Sequence, residues 1–130
     1  MNKEDLIYLA GLIDGEGWIG IKINSLREEK NSFVARLSVT TTSPKIEKFL
    51  RDIIEGYSYY EPKPEGNRKP RWHWYLGRVT KLENLLKNLL PYLKCKKKQA
   101  QIVLEFLSIR KNRGDPRKEI LYKQVKRLNQ

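Results

Sequence analysis

Asp14 and Glu16 stand two residues apart, with Gly15 between them and Gly17 behind, at the end of an apolar run that begins at Leu6. Carboxylates are the oxygen donors that hard divalent cations such as Mg2+ prefer. The run from Leu6 to Ile13 is apolar on every side apart from the Tyr8 hydroxyl, whereas a helix lying on one core keeps a polar stripe for water. Such a helix calls for burial on two sides. One side is the chain's own core; 130 residues make about one domain, so the other side is expected against a second molecule. Ala10 and Gly11 carry side chains small enough for two helix backbones to approach closely. If two copies meet about a twofold axis, their acidic ends meet as well.

Residues 9–17, Leu-Ala-Gly-Leu-Ile-Asp-Gly-Glu-Gly, resemble the defining nonapeptide of the LAGLIDADG homing endonucleases at seven of nine positions, the departures being Gly15 for Ala and Glu16 for Asp. One copy is present, so the chain is similar to the single-motif members, which work as homodimers. The resemblance implies that Glu16 is the metal-binding acid, one from each protomer, with the Gly15 carbonyl as a neighbouring ligand. It makes Asp14 mainly structural, closing the helix and a dimer contact that includes Leu9, Ala10, Gly11 and Leu12. Mg2+ is the implied cofactor, with Mn2+ or Ca2+ able to take the same site. Such an ion supplies a nucleophilic water, neutralises phosphate charge and stabilises the leaving oxygen in phosphodiester hydrolysis.

A second segment, Leu93-Lys94-Cys95-Lys96-Lys97-Lys98-Gln99-Ala100, resembles a family pattern in which a lysine near the active site polarises the solvent network or the phosphate. Lys96 is the matching position and the second catalytic candidate, with Lys94 and Lys98 as rivals because the lysine run blurs the register. Many relatives also place a polar residue at the end of the second strand to order water; here that place falls at Thr41 or Thr42.

Charge points the same way without the motif. Lys and Arg number 27 against 15 Asp and Glu, a formal net charge of +12, which favours a polyanionic partner, nucleic acid or an anionic membrane surface. Residues 91–130 hold 12 basic and 3 acidic side chains, making the C-terminal third the main reservoir of positive charge. Cys95 is the only cysteine, which excludes a disulfide framework or zinc cluster within one chain and makes a reducing, intracellular setting the default. There is neither a run of 18 apolar residues nor a signal-peptide pattern, so no membrane span and no secretion are expected.

The elements that must carry these residues follow from periodicity. After Gly17 the pattern alternates: Ile19, Ile21 and Ile23 share one strand face, with Trp18, Gly20, Lys22 and Asn24 on the other. Phe33, Ala35, Leu37 and Val39 then alternate with Val34, Arg36, Ser38 and Thr40, and Arg27 to Ser32 supplies the turn of a hairpin. Ser43 and Pro44 signal a helix start, followed by Ile46, Phe49, Leu50, Ile53 and Ile54 at helical spacing up to Gly56. A weaker hairpin runs from Tyr57 to Pro62 and from Arg71 to Arg78. Thr80 and Glu83 form a capping box ahead of Leu82, Leu85, Leu86, Leu89 and Leu93. Two more helices follow, broken by Asn112 to Pro116.

This order predicts an α+β fold, a four-stranded antiparallel sheet covered by helices on one face. The family's α-β-β-α-β-β-α core, with its sheet shaped as a saddle, has the same succession. Residues 1–130 are read as a single domain, with 112–130 as a C-terminal helical extension that the resemblance does not match.

The uncovered sheet face is the candidate DNA surface, since an antiparallel ribbon can enter the major groove. A strand of about 10 residues spans roughly 33 Å, close to 10 base pairs at about 3.4 Å each. Two protomers then cover on the order of 20, and their symmetry predicts a pseudopalindromic target. Candidate contacts are Lys22, Asn24, Arg36, Ser38, Thr40 and Thr42 from the first hairpin and its end, Arg71, His73 and Tyr75 from the second, and Lys94 and Lys98. Trp18 and Tyr75 are read as contacts or, alternatively, as packing residues. His73, the only histidine, is read as a groove contact or surface residue rather than a metal ligand. The expected function is a homodimeric, divalent-metal-dependent, site-specific endonuclease acting on double-stranded DNA, encoded in a mobile intron or intein-like element and making staggered cuts across the minor groove. Two rivals share the resemblance: an intron RNA maturase, for which RNA is the partner, and a catalytically silent DNA-binding protein.

Overall fold

In a computed structural model, which describes residues 1–23 and 32–130, the elements follow the predicted order. Helix α1 (Lys3–Glu16) opens where the Asn2 side chain accepts the Asp5 N–H at 2.8 Å, satisfying one of the amides that a helix start leaves unpaired. It runs straight into β1 (Gly17–Ile23). A side chain at position 17 would lie 2.8 Å from Ile13 Cα, so the abrupt turn from helix to strand requires glycine there.

Strand β1 pairs antiparallel with β2 (Phe33–Thr41) in the register Gly17 to Val39 through Ile23 to Phe33. Asn24 and the turn expected at Arg27 to Ser32, apart from Ser32 itself, lie outside the described residues. Next comes α2 (Pro44–Ile53), capped by the Ser43 hydroxyl, which accepts the Ile46 N–H. It ends three residues short of Gly56. Strands β3 (Tyr57–Glu61) and β4 (Arg71–Leu76) complete an antiparallel sheet of order β1-β2-β4-β3.

Three helices finish the chain: α3 (Val79–Leu89), α4 (Lys97–Ser108) and α5 (Pro116–Leu128). The predicted capping box does not form. Helix α3 starts one residue before Thr80, with Arg78 at the cap and no side-chain cap bond, and the Glu83 carboxylate turns instead to Lys87 and Arg110.

The predicted fold class holds. Ile19, Ile21, Ala35, Leu37, Val39, Trp74 and Leu76 point to one side and are buried under Leu9 and Ile13 of α1, Leu50 of α2, the leucines of α3 and the apolar faces of α4 and α5. Residues read as an extension therefore join this core, since Leu121 and Val125 of α5 are buried in it. Beyond α5 the Asn129 amide donates to the Ile19 carbonyl at 2.9 Å, on the sheet's outer strand.

Candidate functional site

The two carboxylates of α1 have different surroundings. Asp14 accepts three consecutive backbone N–H groups from the loop before α4, those of Lys94 at 2.8 Å, Cys95 at 3.1 Å and Lys96 at 3.0 Å. Successive amides converging in this way form a concave anion site, and here the anion is the chain's own. Lys96 answers by donating its Nζ to the Asp14 carbonyl at 2.8 Å. That carbonyl lies in the last turn of α1, where carbonyls lack helical partners and a cation is favoured; α1 has no basic residue of its own there. Asp14 is thus occupied in fastening α1 to α4.

Glu16, the last residue of α1, is exposed, and among the described residues its carboxylate makes no hydrogen bond or salt bridge. Gly15 beside it is also exposed, with nothing within 4 Å of where a Cβ would sit. Among the described residues of one chain no group of three or more His, Cys, Asp or Glu is placed to hold a metal ion. One copy offers a free carboxylate and a neighbouring carbonyl, a donor set that suits a hard cation retaining several waters once a second copy adds its own.

Helix α1 divides its apolar surface between two sides. Leu9 and Ala10, expected in a dimer contact, have no exposed surface and belong to the chain's own core, which corrects their assignment: no area of either remains for a partner. Gly11 is open, Leu12 is half-buried, and Ile7 and Tyr8 are 47% and 52% exposed. The outer face is therefore Ile7, Tyr8, Gly11 and Gly15, of which the expected dimer contact includes only Gly11.

The sheet's uncovered face carries Trp18 and Lys22 of β1, Arg36, Ser38 and Thr40 of β2, and Arg71, His73 and Tyr75 of β4, together with Tyr57, Tyr59 and Glu61 of β3. Trp18 lies along its own strand. A Cβ at Gly20 would sit 2.5 Å from its ring, and the Lys22 ammonium lies 5.4 Å from the ring centroid. Partial burial and the nearby Arg36 hold Lys22 below its ordinary pKa. Arg36 stacks over Tyr75 at 4.5 Å, a cation–π contact. Tyr75 hydrogen bonds to the Tyr59 hydroxyl, and burial, assisted by that bond, pushes its own hydroxyl up to about 12.

His73 sits in the middle of this face. Its Nδ1 pairs with Thr40 Oγ1 at 3.1 Å, its Nε2 with Glu61 Oε1 at 3.0 Å, and Tyr59 stacks on its ring at 4.7 Å. It is not a free contact but the centre of a network. Tyr59 and Glu61 were missed by the sequence reading; the signal was the alternation Tyr57, Tyr59, Glu61. At the end of β2, the buried Thr41 hydroxyl accepts the Ser43 N–H, leaving Thr42 as the exposed member of the pair. Lys94 and Lys98 are both exposed.

No protein-family model matches the chain. It is 33% identical over 111 residues to the DNA endonuclease I-CreI of Chlamydomonas reinhardtii, an overlap covering 82% of this chain and 64% of that protein. It is 30% identical over 112 residues to the DNA endonuclease I-CvuI of Chlorella vulgaris, covering 84% of this chain and 67% of that protein. The chain thus spans about two thirds of the length of these curated relatives. A crystal structure of the homing endonuclease I-CvuI in complex with its target in the presence of 2 mM Ca superposes with a TM-score of 0.74 at 27% identity, over 98% of this chain and 85% of that one. With the nonapeptide at the end of α1, the sheet order and these identities together, the chain belongs to the LAGLIDADG homing endonuclease family, of the single-motif type.

Proposed function

We propose that two copies of this chain form a divalent-metal-dependent endonuclease that cuts double-stranded DNA at a long pseudopalindromic site. The reading is carried by one contrast at the end of α1: Asp14 is saturated by three amides while Glu16 is exposed and, among the described residues, has no partner. Glu16, with the Gly15 carbonyl, would hold the ion, for which Mg2+ is our choice. When bound, it activates a water and neutralises charge on the phosphate. Lys96, held at the same helix end, adds positive charge beside the scissile phosphate. The open sheet face lies in the major groove and positions the duplex, with Arg36, Ser38, Thr40 and Arg71 presenting polar groups to base edges. Relatives crystallised with DNA targets and with Mg or Ca support the substrate and the ion class.

The test is Glu16→Gln, which keeps the shape and removes the charge. Plasmid cleavage in Mg2+ should vanish while duplex binding and dimer formation persist; cleavage at an undiminished rate would remove Glu16 from the chemistry.

A further inference from the structure

Glu61 is an acidic side chain on a surface that should attract phosphates, and it is placed by strand pairing rather than by chance of rotamer. It lies directly across from Arg71 in the β3–β4 register, where side chains on one face interact. Its single oxygen Oε1 accepts both the Arg71 Nε–H at 2.6 Å and His73 Nε2 at 3.0 Å. These partners are largely enclosed, their side chains 24% and 13% exposed, and they hold the Glu61 carboxyl below its ordinary pKa, His73 first and Arg71 second.

The guanidinium has five N–H groups in a planar fork. With Nε taken by Glu61 and no partner for the terminal nitrogens among the described residues, a fork held at its base offers those two nitrogens side by side. Two parallel donors suit the O6 and N7 acceptors of guanine. His73 has both ring nitrogens engaged and Tyr59 stacked on it, so it braces the assembly rather than reading a base. An arginine without such a brace reaches phosphates as readily as base edges.

We propose that Glu61 is a positioning residue for sequence readout, fixing Arg71 so that it selects guanine at one position in each half-site. This deepens the proposed function and rests on it. It predicts opposite signs for two measurements on one variant, because Glu61 repels phosphate while aiming Arg71.

The experiment measures competitive binding of the full chain, in Ca2+, to a site selected from a randomised duplex library, with each half-site position then replaced in turn by the other three bases. For Glu61→Ala, affinity for unselected duplex should rise, since a negative charge leaves the phosphate-facing surface. Preference for guanine at one position should fall on the order of tenfold, the scale of one bidentate contact, with other positions unchanged. Glu61→Gln keeps an acceptor for Arg71 Nε and should retain most of the preference. Arg71→Lys keeps the charge without the fork and should lose the preference at that same position. Folding is checked by thermal melting of each variant, and Glu61→Leu, which also lacks an acceptor for Arg71 Nε, carries the comparison if Glu61→Ala fails to fold. Unchanged preference in Glu61→Ala, or equal loss at every position, overturns this inference alone. A wild-type chain that binds no duplex overturns the proposed function and this inference with it.

Discussion

Two carboxylates separated by one glycine have different surroundings because one finds amides and the other, among the described residues, finds none. Asp14 saturates the loop from Lys94 to Lys96, and any substitution there is felt by two helices at once. Asp14→Asn is the sharpest probe. Whichever way the amide turns, its NH2 meets a backbone N–H, so a bond is replaced by two opposed donors, a loss of about 2 kcal/mol for a charge-assisted contact. The unfolding free energy should fall by that amount, seen as a lower urea midpoint with an unchanged slope; an unshifted midpoint would mean that the clamp contributes nothing. The nonapeptide made both acids visible from the sequence, yet the partners of Asp14 lie about 80 residues away and no local pattern reveals them. Similarly, Arg71, His73 and Tyr75 were legible as one outward face through alternation, but Glu61 and Tyr59 become their partners only through a strand register that the irregular connection from 62 to 70 leaves open.

At the scale of elements, strands were read well because burial on one face imposes a period of two. Of the helix starts, Ser43 is legible because the cap precedes a proline, and its hydrogen bond forms; Thr80 is overridden because α3 begins a residue earlier. The caps Asn2 and Asp115 also form, but the sequence reading does not pick them out. Asp115 offers a pH test. Hydrogen bonds from the Arg117 side chain and backbone hold its carboxyl at about 2, below its ordinary 3.8. A depressed carboxyl pKa adds stability that is present above the ordinary value and is lost as pH falls through the folded value. Thermal melts should therefore show the wild-type chain losing stability relative to Asp115→Asn between about pH 4 and pH 2. Parallel profiles would show that this cap does not couple to folding.

For the whole molecule the undecided matter was which side of α1 faces inward. An amphipathic helix declares its buried side by a polar stripe; α1 has none, so its periodicity does not separate Leu9 and Ala10, which are core, from the residues that face outward. The exposed ridge of Ile7, Gly11 and Gly15, with Tyr8 beside it, is the surface on which a second copy is proposed to lie. Gly11→Arg tests it. The new side chain meets nothing within the chain at its first carbon, and the substitution favours helix, so the fold should persist. The variant should sediment as a monomer and lose cleavage; a dimer of undiminished strength would put the contact elsewhere.

The Asn129 bond to the Ile19 carbonyl bears on how copies find one another. An unpaired sheet edge invites another edge to zip onto it, and proteins commonly block such edges. Here β1 is an outermost strand, and α5 with its terminal asparagine lies against it like a hem stitched over a raw seam. Edge-to-edge pairing is closed off along that border, so the pair proposed on the glycine ridge of α1 would not be extended into a fibre through β1.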